Sequence, residues 1–165
     1  MSATKILRGK RILIVDDEPD IIESLNEILD MCKIDTATSF SDGKQRLENQ
    51  SYDIAILDIM GVEGFELLKI SKLQKTPALM LTAHALSEKN LLKSAKDGAV
   101  YFVPKDKMSD IDIFLIDIFQ ALYENKSTWE KLFDRLGGFY DKRFHGTNWR
   151  DQEKAFWKKI MKTRF

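Results

Sequence analysis

Four places in the chain set polar residues at the end of a short apolar run. Ile12–Val15 leads into Asp16-Asp17-Glu18, Ile54–Leu57 into Asp58, Leu79–Leu81 into Thr82, and Val100–Val103 into Pro104-Lys105. If those runs are strands of one parallel sheet, their ends share an edge, and carboxylates, a hydroxyl and an ammonium meet in one shallow cleft. Gathered carboxylates repel one another, and a divalent cation relieves the repulsion. Mg²⁺ suits such a site, because it takes hard oxygen ligands and keeps several waters beside one or two carboxylates. A phosphoryl group also fits. The metal would neutralise two of its oxygens, Lys105 would pair with another, and the Thr82 hydroxyl would donate to a third. Asp58 is the central carboxylate, and the reaction this set supports is formation of an aspartyl phosphate, a covalent acyl phosphate.

The elements needed to position these groups follow from the apolar patterning. The four runs above and a fifth, Ile34–Ala37, read as strands covered on both faces. Between them apolar residues recur at helical spacing. Ile21, Ile22, Leu25, Ile28 and Leu29 follow Pro19, which favours a first helical turn. Phe65, Leu67, Leu68 and Ile70 form a second stripe, and Leu86, Leu91, Leu92 and Ala95 a weaker one that Gly98 should end. Strands alternating with helices predict right-handed crossovers and an open parallel α/β sheet, with ligands outside the carboxyl ends of its strands. A fifth helix, Asp110 to Glu124, carries two stripes: Ile111, Leu115, Ile118 and Leu122, and Ile113, Ile116, Phe119 and Tyr123. Covering a sheet needs only one, so the second should be buried by the C-terminal segment or by another subunit.

The chain has 165 residues, 44% of them hydrophobic and 32% charged, which suits one domain with an appendage and excludes disordered and low-complexity classes. No apolar stretch is long enough for a membrane span, and residues 1–10 lack the apolar core of a signal peptide. One cysteine, Cys32, forbids an internal disulfide, and two histidines, His84 and His145, leave little for a zinc cage. A reducing, cytoplasmic setting is the expectation. The 26 basic and 26 acidic residues are unevenly spread. Residues 1–125 hold 15 Lys/Arg against 21 Asp/Glu, and residues 126–165 hold 11 against 5 together with 9 of the 17 aromatics. That shift places a boundary near Asn125, giving an arm over 1–9, a domain over 10–125 and a helical extension over 126–165. In the extension, Trp129, Leu132, Phe133 and Leu136 predict a helix capped by Ser127 or Thr128 and stopped by Gly137-Gly138. A second helix, capped by Asn148 or Asp151, should carry Phe156, Trp157, Ile160 and Met161 on one side.

Four segments, ILIVDDEPDI, AILDIMGVEGFELL, LMLTAHA and GAVYFVPKD, resemble the signature motifs of response regulator receiver domains of two-component signalling, in the family's order. The resemblance implies a flavodoxin-like, doubly wound sheet of strand order 2-1-3-4-5. It implies Asp58 as phosphoacceptor, Asp17 as a direct Mg²⁺ ligand, Asp16 holding the metal through water, and the Met60 carbonyl as a further ligand. Thr82 becomes the switch hydroxyl, Lys105 the phosphate-pairing cation and Phe102 the aromatic switch, which would move inward on phosphorylation. Met60 and His84, two residues beyond Asp58 and Thr82, would tune access of water to the acyl phosphate. The chain departs from the family in three ways. The loop after Asp58 is shorter, Pro104 precedes Lys105 where the family has Lys-Pro, and Phe102 lacks a hydroxyl. A cis bond at Lys105-Asp106 is not expected, since non-proline cis bonds cost about 2.5–4 kcal/mol.

Each residue alone has a plainer role: acidic residues at 16–18 as a helix N-terminus, Thr82 as a cap, Lys105 as a solvated cation. Their joint placement at separate strand ends argues for the site. The function expected is a receiver phosphorylated by a histidine kinase or phosphotransfer protein, not an enzyme acting on external substrates. The competing reading is a docking or dimerisation module, independent of phosphorylation, built on the helix at 110–124 and the extension. DNA contact through the basic extension ranks third, because Lys154, Lys158 and Lys162 share one face like those of an ordinary solvated helix.

Overall fold

A computed structural model describes residues 3–163; Phe165, one of the aromatics of the extension, lies outside them. Five parallel strands, β1 (Arg11–Val15), β2 (Lys33–Ala37), β3 (Ile54–Asp58), β4 (Ala78–Thr82) and β5 (Tyr101–Pro104), form one sheet of order β2-β1-β3-β4-β5. This is the flavodoxin-like order expected. The continuous apolar runs are central: every residue of β3 and β4 is buried, and Ile12 to Val15 are wholly so. β2 is an edge strand, so its Lys33, Asp35 and Thr36 are tolerated on partly solvated faces.

The covering helices are α1 (Ala3–Leu7), α2 (Pro19–Ile28), α3 (Phe40–Asn49), α4 (Gly64–Leu73), α5 (Glu88–Lys96) and α6 (Ile111–Glu124), with a short 3-10 helix at Lys105–Asp110. Pro19 occupies the first turn of α2, and Gly98 follows α5 at φ 99°. Ser39 and Ser87 cap α3 and α5 by accepting from the main-chain N–H of Asp42 and Asn90. Helix α3 has no apolar stripe in the sequence because it buries only Gly43 and Leu47; a Cβ on Gly43 would meet Val15 at 3.0 Å, so the helix packs by closeness of backbone. The N-terminal arm is helical over α1, which packs on α6 and buries Leu7. Among the described residues no helix is long and apolar enough to cross a membrane.

The extension contains two helices, α7 (Thr128–Arg143) and α8 (Lys154–Ile160); α7 starts where expected, but its end and the start of α8 differ. Ser127 is the cap of α7, its hydroxyl accepting from the Glu130 N–H. Gly137-Gly138 does not stop this helix. A mid-helix glycine costs about 1 kcal/mol relative to alanine, which burial of Tyr140 and Phe144 on the following turns outweighs. Gly137 also leaves room for Arg150, whose guanidinium lies 2.5 Å from where its Cβ would be. Neither Asn148 nor Asp151 caps α8. The chain first turns through left-handed Asn148 (φ 55°) and Glu153 (φ 54°), because Trp149 must turn inward against Tyr140 and Trp157. Lys154, Lys158 and Lys162 are exposed as expected, and Trp157 is buried.

The second stripe of α6 is not buried as a unit. Phe119 is buried, but Ile113 is 38% and Tyr123 91% exposed. The extension meets α6 instead through a polar position between the stripes: Arg135 of α7 grips Asp117. Phe114 and Ala121 are buried with Asp117.

Candidate functional site

The register of the sheet brings the four strand ends together. Val15 lies opposite Leu57, Asp58 opposite Leu81, and Thr82 opposite Pro104. Parallel pairing puts the residues that follow on one edge, and Asp16, Asp58 and Thr82 are buried there. Lys105, next after β5, reaches back across this edge. Its Nζ stands 3.1 Å from Asp16 Oδ2, 3.0 Å from Glu18 Oε1 and 3.4 Å from Asp58 Oδ1, and its side chain is 7% exposed. The other oxygen of Asp16 accepts from the Glu18 N–H at 2.8 Å, which fixes its rotamer.

One ammonium contacts three carboxylates, and a fourth, that of Asp17, stands beside them. Oxygens of Asp16, Asp17, Glu18 and Asp58 all lie within 4.8 Å of one another. Burial pushes the Asp58 carboxyl up to about 7, the nearby Asp16 pushes the same way, and Lys105 opposes both. Burial also raises Asp16. Burial alone would lower the Lys105 ammonium, but Glu18, Asp16 and Asp58 together hold it above its ordinary value. This set could hold a divalent cation with hard oxygen preferences: Asp17 is exposed, and Asp16 and Asp58 are buried beside it.

The loop after Asp58 is tight for a visible reason. Gly61 has φ 87°, and a Cβ there would collide with the carboxylate of Asp17. The loop thus closes directly over the first acidic pair. Gly64 is equally constrained, its Cα lying against the Asp58 carbonyl while its N–H donates to the Ile59 carbonyl at 3.0 Å. Met60 lies between these features with its side chain 54% exposed. Thr82 is buried, its hydroxyl accepting from the Ala85 N–H at 3.0 Å, and His84 beyond it is exposed at the rim. No cis peptide occurs among the described residues.

Phe102 is fully buried, and its ring stands 6.0 Å from that of Tyr140. The extension therefore fills the space outside it, which no reading of the strand motifs foresaw. Three residues escaped the sequence reading: Glu18 as a partner of Lys105, Gly61 as the wall behind Asp17, and Tyr140 behind Phe102. For Gly61 a signal existed, a glycine in the loop after the central carboxylate, the residue type that most readily takes a positive φ. For Tyr140 none did.

Comparison with known proteins agrees with this geometry. Residues 12–116 match the model of the response regulator receiver domain. Response regulator protein PilR of Pseudomonas aeruginosa is 32% identical over 102 residues, 58% of this chain and 23% of that protein. Heme response regulator HssR of Staphylococcus epidermidis is 43% identical over 84 residues, 47% of this chain and 37% of that one. The chain thus matches well under half the length of these relatives. Among solved structures, a CheY-like response regulator receiver domain protein from Methanospirillum hungatei superposes with a TM-score of 0.62 at 29% identity, covering 68% of this chain and 94% of that one.

Proposed function

The chain belongs to the response regulator receiver domain family of two-component systems, and on that premise we propose that Asp58 accepts a phosphoryl group from a histidine kinase or phosphotransfer protein. The observation that carries this reading is Lys105. It travels from the far strand to stand 3.4 Å from Asp58 and 3.1 Å from Asp16, the position of a cation meant for a charge between them.

An ionised Asp58 oxygen attacks phosphorus in line with the phosphorus–nitrogen bond of a phosphohistidine. That bond breaks, its electron pair stays on the imidazole nitrogen, and the acyl phosphate forms. Lys105 pairs with a phosphoryl oxygen, and Thr82, whose oxygen accepts from the Ala85 N–H, donates its hydroxyl hydrogen to another. Asp17 and Asp58, with Asp16 acting through water and the Met60 carbonyl, would hold Mg²⁺. When bound, Mg²⁺ neutralises charge on the carboxylates and the transferring group. An in-line water attacks phosphorus, the bond from phosphorus to the Asp58 oxygen breaks, and inorganic phosphate leaves the restored carboxylate, with Met60 and His84 at the rim governing the water's approach. The chemistry stays on the protein's own aspartate, and the output is a change in a protein-binding surface.

Incubation with acetyl phosphate and Mg²⁺ tests this. The expected result is an intact-mass gain of one phosphoryl group, abolished in Asp58→Asn and by chelation of the metal. No gain in the wild type overturns the reading and leaves a docking module that needs no phosphate.

A further inference from the structure

Helix α7 reaches the framework of the site without entering it. Strand β5 ends the sheet and pairs only with β4, so main-chain carbonyls on its outer edge need donors from elsewhere. Two side chains of α7 supply them. Trp129 Nε1 donates to the Ala99 carbonyl at 2.8 Å, just before the strand, and the Tyr140 hydroxyl donates to the Phe102 carbonyl at 2.6 Å. Positions 129 and 140 are about three helical turns apart and so share a face. Tyr140 is fully buried, and its contact falls three residues before Lys105.

We propose that Tyr140 is a positioning residue for the Asp58 chemistry. By pinning β5 at Phe102 it fixes the strand end from which Lys105 reaches Asp58, and it thereby couples the docking of α7 to occupancy of the site. This rests on the phosphoacceptor reading above. The physical case is that an edge strand with one neighbour is free to shift on its open side, and Lys105 moves with it. A hydrogen bond within the strand, three residues before the lysine, constrains that shift, whereas the Trp129 bond holds only the opposite end. Coupling is reciprocal: an acyl phosphate that pulls on Lys105 must also change how α7 sits on β5. The protein carries its own reporter. All three tryptophans, Trp129, Trp149 and Trp157, lie in the extension, and Trp149 packs edge-on against Tyr140 with ring centres 6.2 Å apart.

The experiment follows phosphorylation of the full chain by acetyl phosphate with Mg²⁺, using intact mass for the rate and tryptophan emission for the extension. Tyr140→Phe keeps the ring and removes the hydroxyl; it is expected to slow phosphorylation about fivefold. Trp129→Phe removes the other edge bond and is expected to leave the rate near that of the wild type, although both variants lower the urea midpoint. Wild-type emission is expected to change as phosphate is incorporated, and to stay constant in Asp58→Asn. A phosphorylated wild type with constant emission, or equal rates in Tyr140→Phe and wild type, overturns the coupling and leaves the phosphoacceptor reading intact. Equal slowing in both edge variants makes α7 a merely structural brace and also overturns it. A wild type that takes up no phosphate overturns both.

Discussion

Arg135 holds Asp117 with two parallel hydrogen bonds, Nε to Oδ2 at 2.8 Å and Nη2 to Oδ1 at 2.9 Å, and so joins α7 to α6. The two ends differ in exposure: the Asp117 side chain is 10% exposed, the Arg135 side chain 45%. Truncating the arginine therefore strands a nearly buried carboxylate, whereas removing both charges does not. Arg135→Ala is expected to cost about 1–2 kcal/mol in urea unfolding. The double variant Arg135→Ala with Asp117→Asn should recover part of that loss, and amide exchange in α7 should rise most in the single variant.

Asp58 makes the apo protein more stable in acid than near neutrality, other groups being equal. Burial and Asp16 raise its carboxyl to about 7, above the value of about 4 for an unfolded aspartate. Between these values the folded state binds more protons than the unfolded one, so stability falls as pH rises through the window from about 4 to about 7 and stays lower above it. In chelator, Asp58→Asn should raise the melting temperature at pH 8 and change it little near pH 4. Adding Mg²⁺ at pH 8 should stabilise the wild type more than the variant.

Gly61→Ala joins two faults. The residue must keep a positive φ, and its Cβ has to displace the Asp17 carboxylate. Strain of this kind costs about 1–3 kcal/mol, and the displaced carboxylate is the one open to the metal. Calorimetric titration with Mg²⁺ should show weakened binding beyond what the loss of stability explains. Gly64→Ala, which runs into the Asp58 main chain, should impair folding itself.

Adjacent glycines in α7 should respond in opposite ways. A Cβ on Gly138 meets nothing within 4 Å, whereas one on Gly137 meets the Arg150 guanidinium. Gly138→Ala should stabilise by about 0.5–1 kcal/mol through helix propensity and a less flexible unfolded chain. Gly137→Ala has the same intrinsic gain, but it forces Arg150 off Asp141, where Nε and Nη2 now bond the carboxylate at 2.7 and 3.0 Å. Its melting temperature should fall below that of Gly138→Ala.

The amino-acid pattern alone was enough for the sheet and for which side chains gather at its edge. Continuous apolar runs such as Ile54–Leu57 have one stable environment, the middle of a doubly covered sheet, and parallel strands place Asp16, Asp58, Thr82 and Lys105 at one edge whatever the loops do. Those signals are local in sequence. Packing in three dimensions settles those matters in which one residue's role depends on another far along the chain. Gly61 is bound by Asp17, Gly137 by Arg150, the exposed stripe of α6 by the approach of Arg135, and the open edge of β5 by Trp129 and Tyr140. Neither helix periodicity nor residue type encodes such pairings, because each is settled only when two packed surfaces meet and their polar groups must find partners.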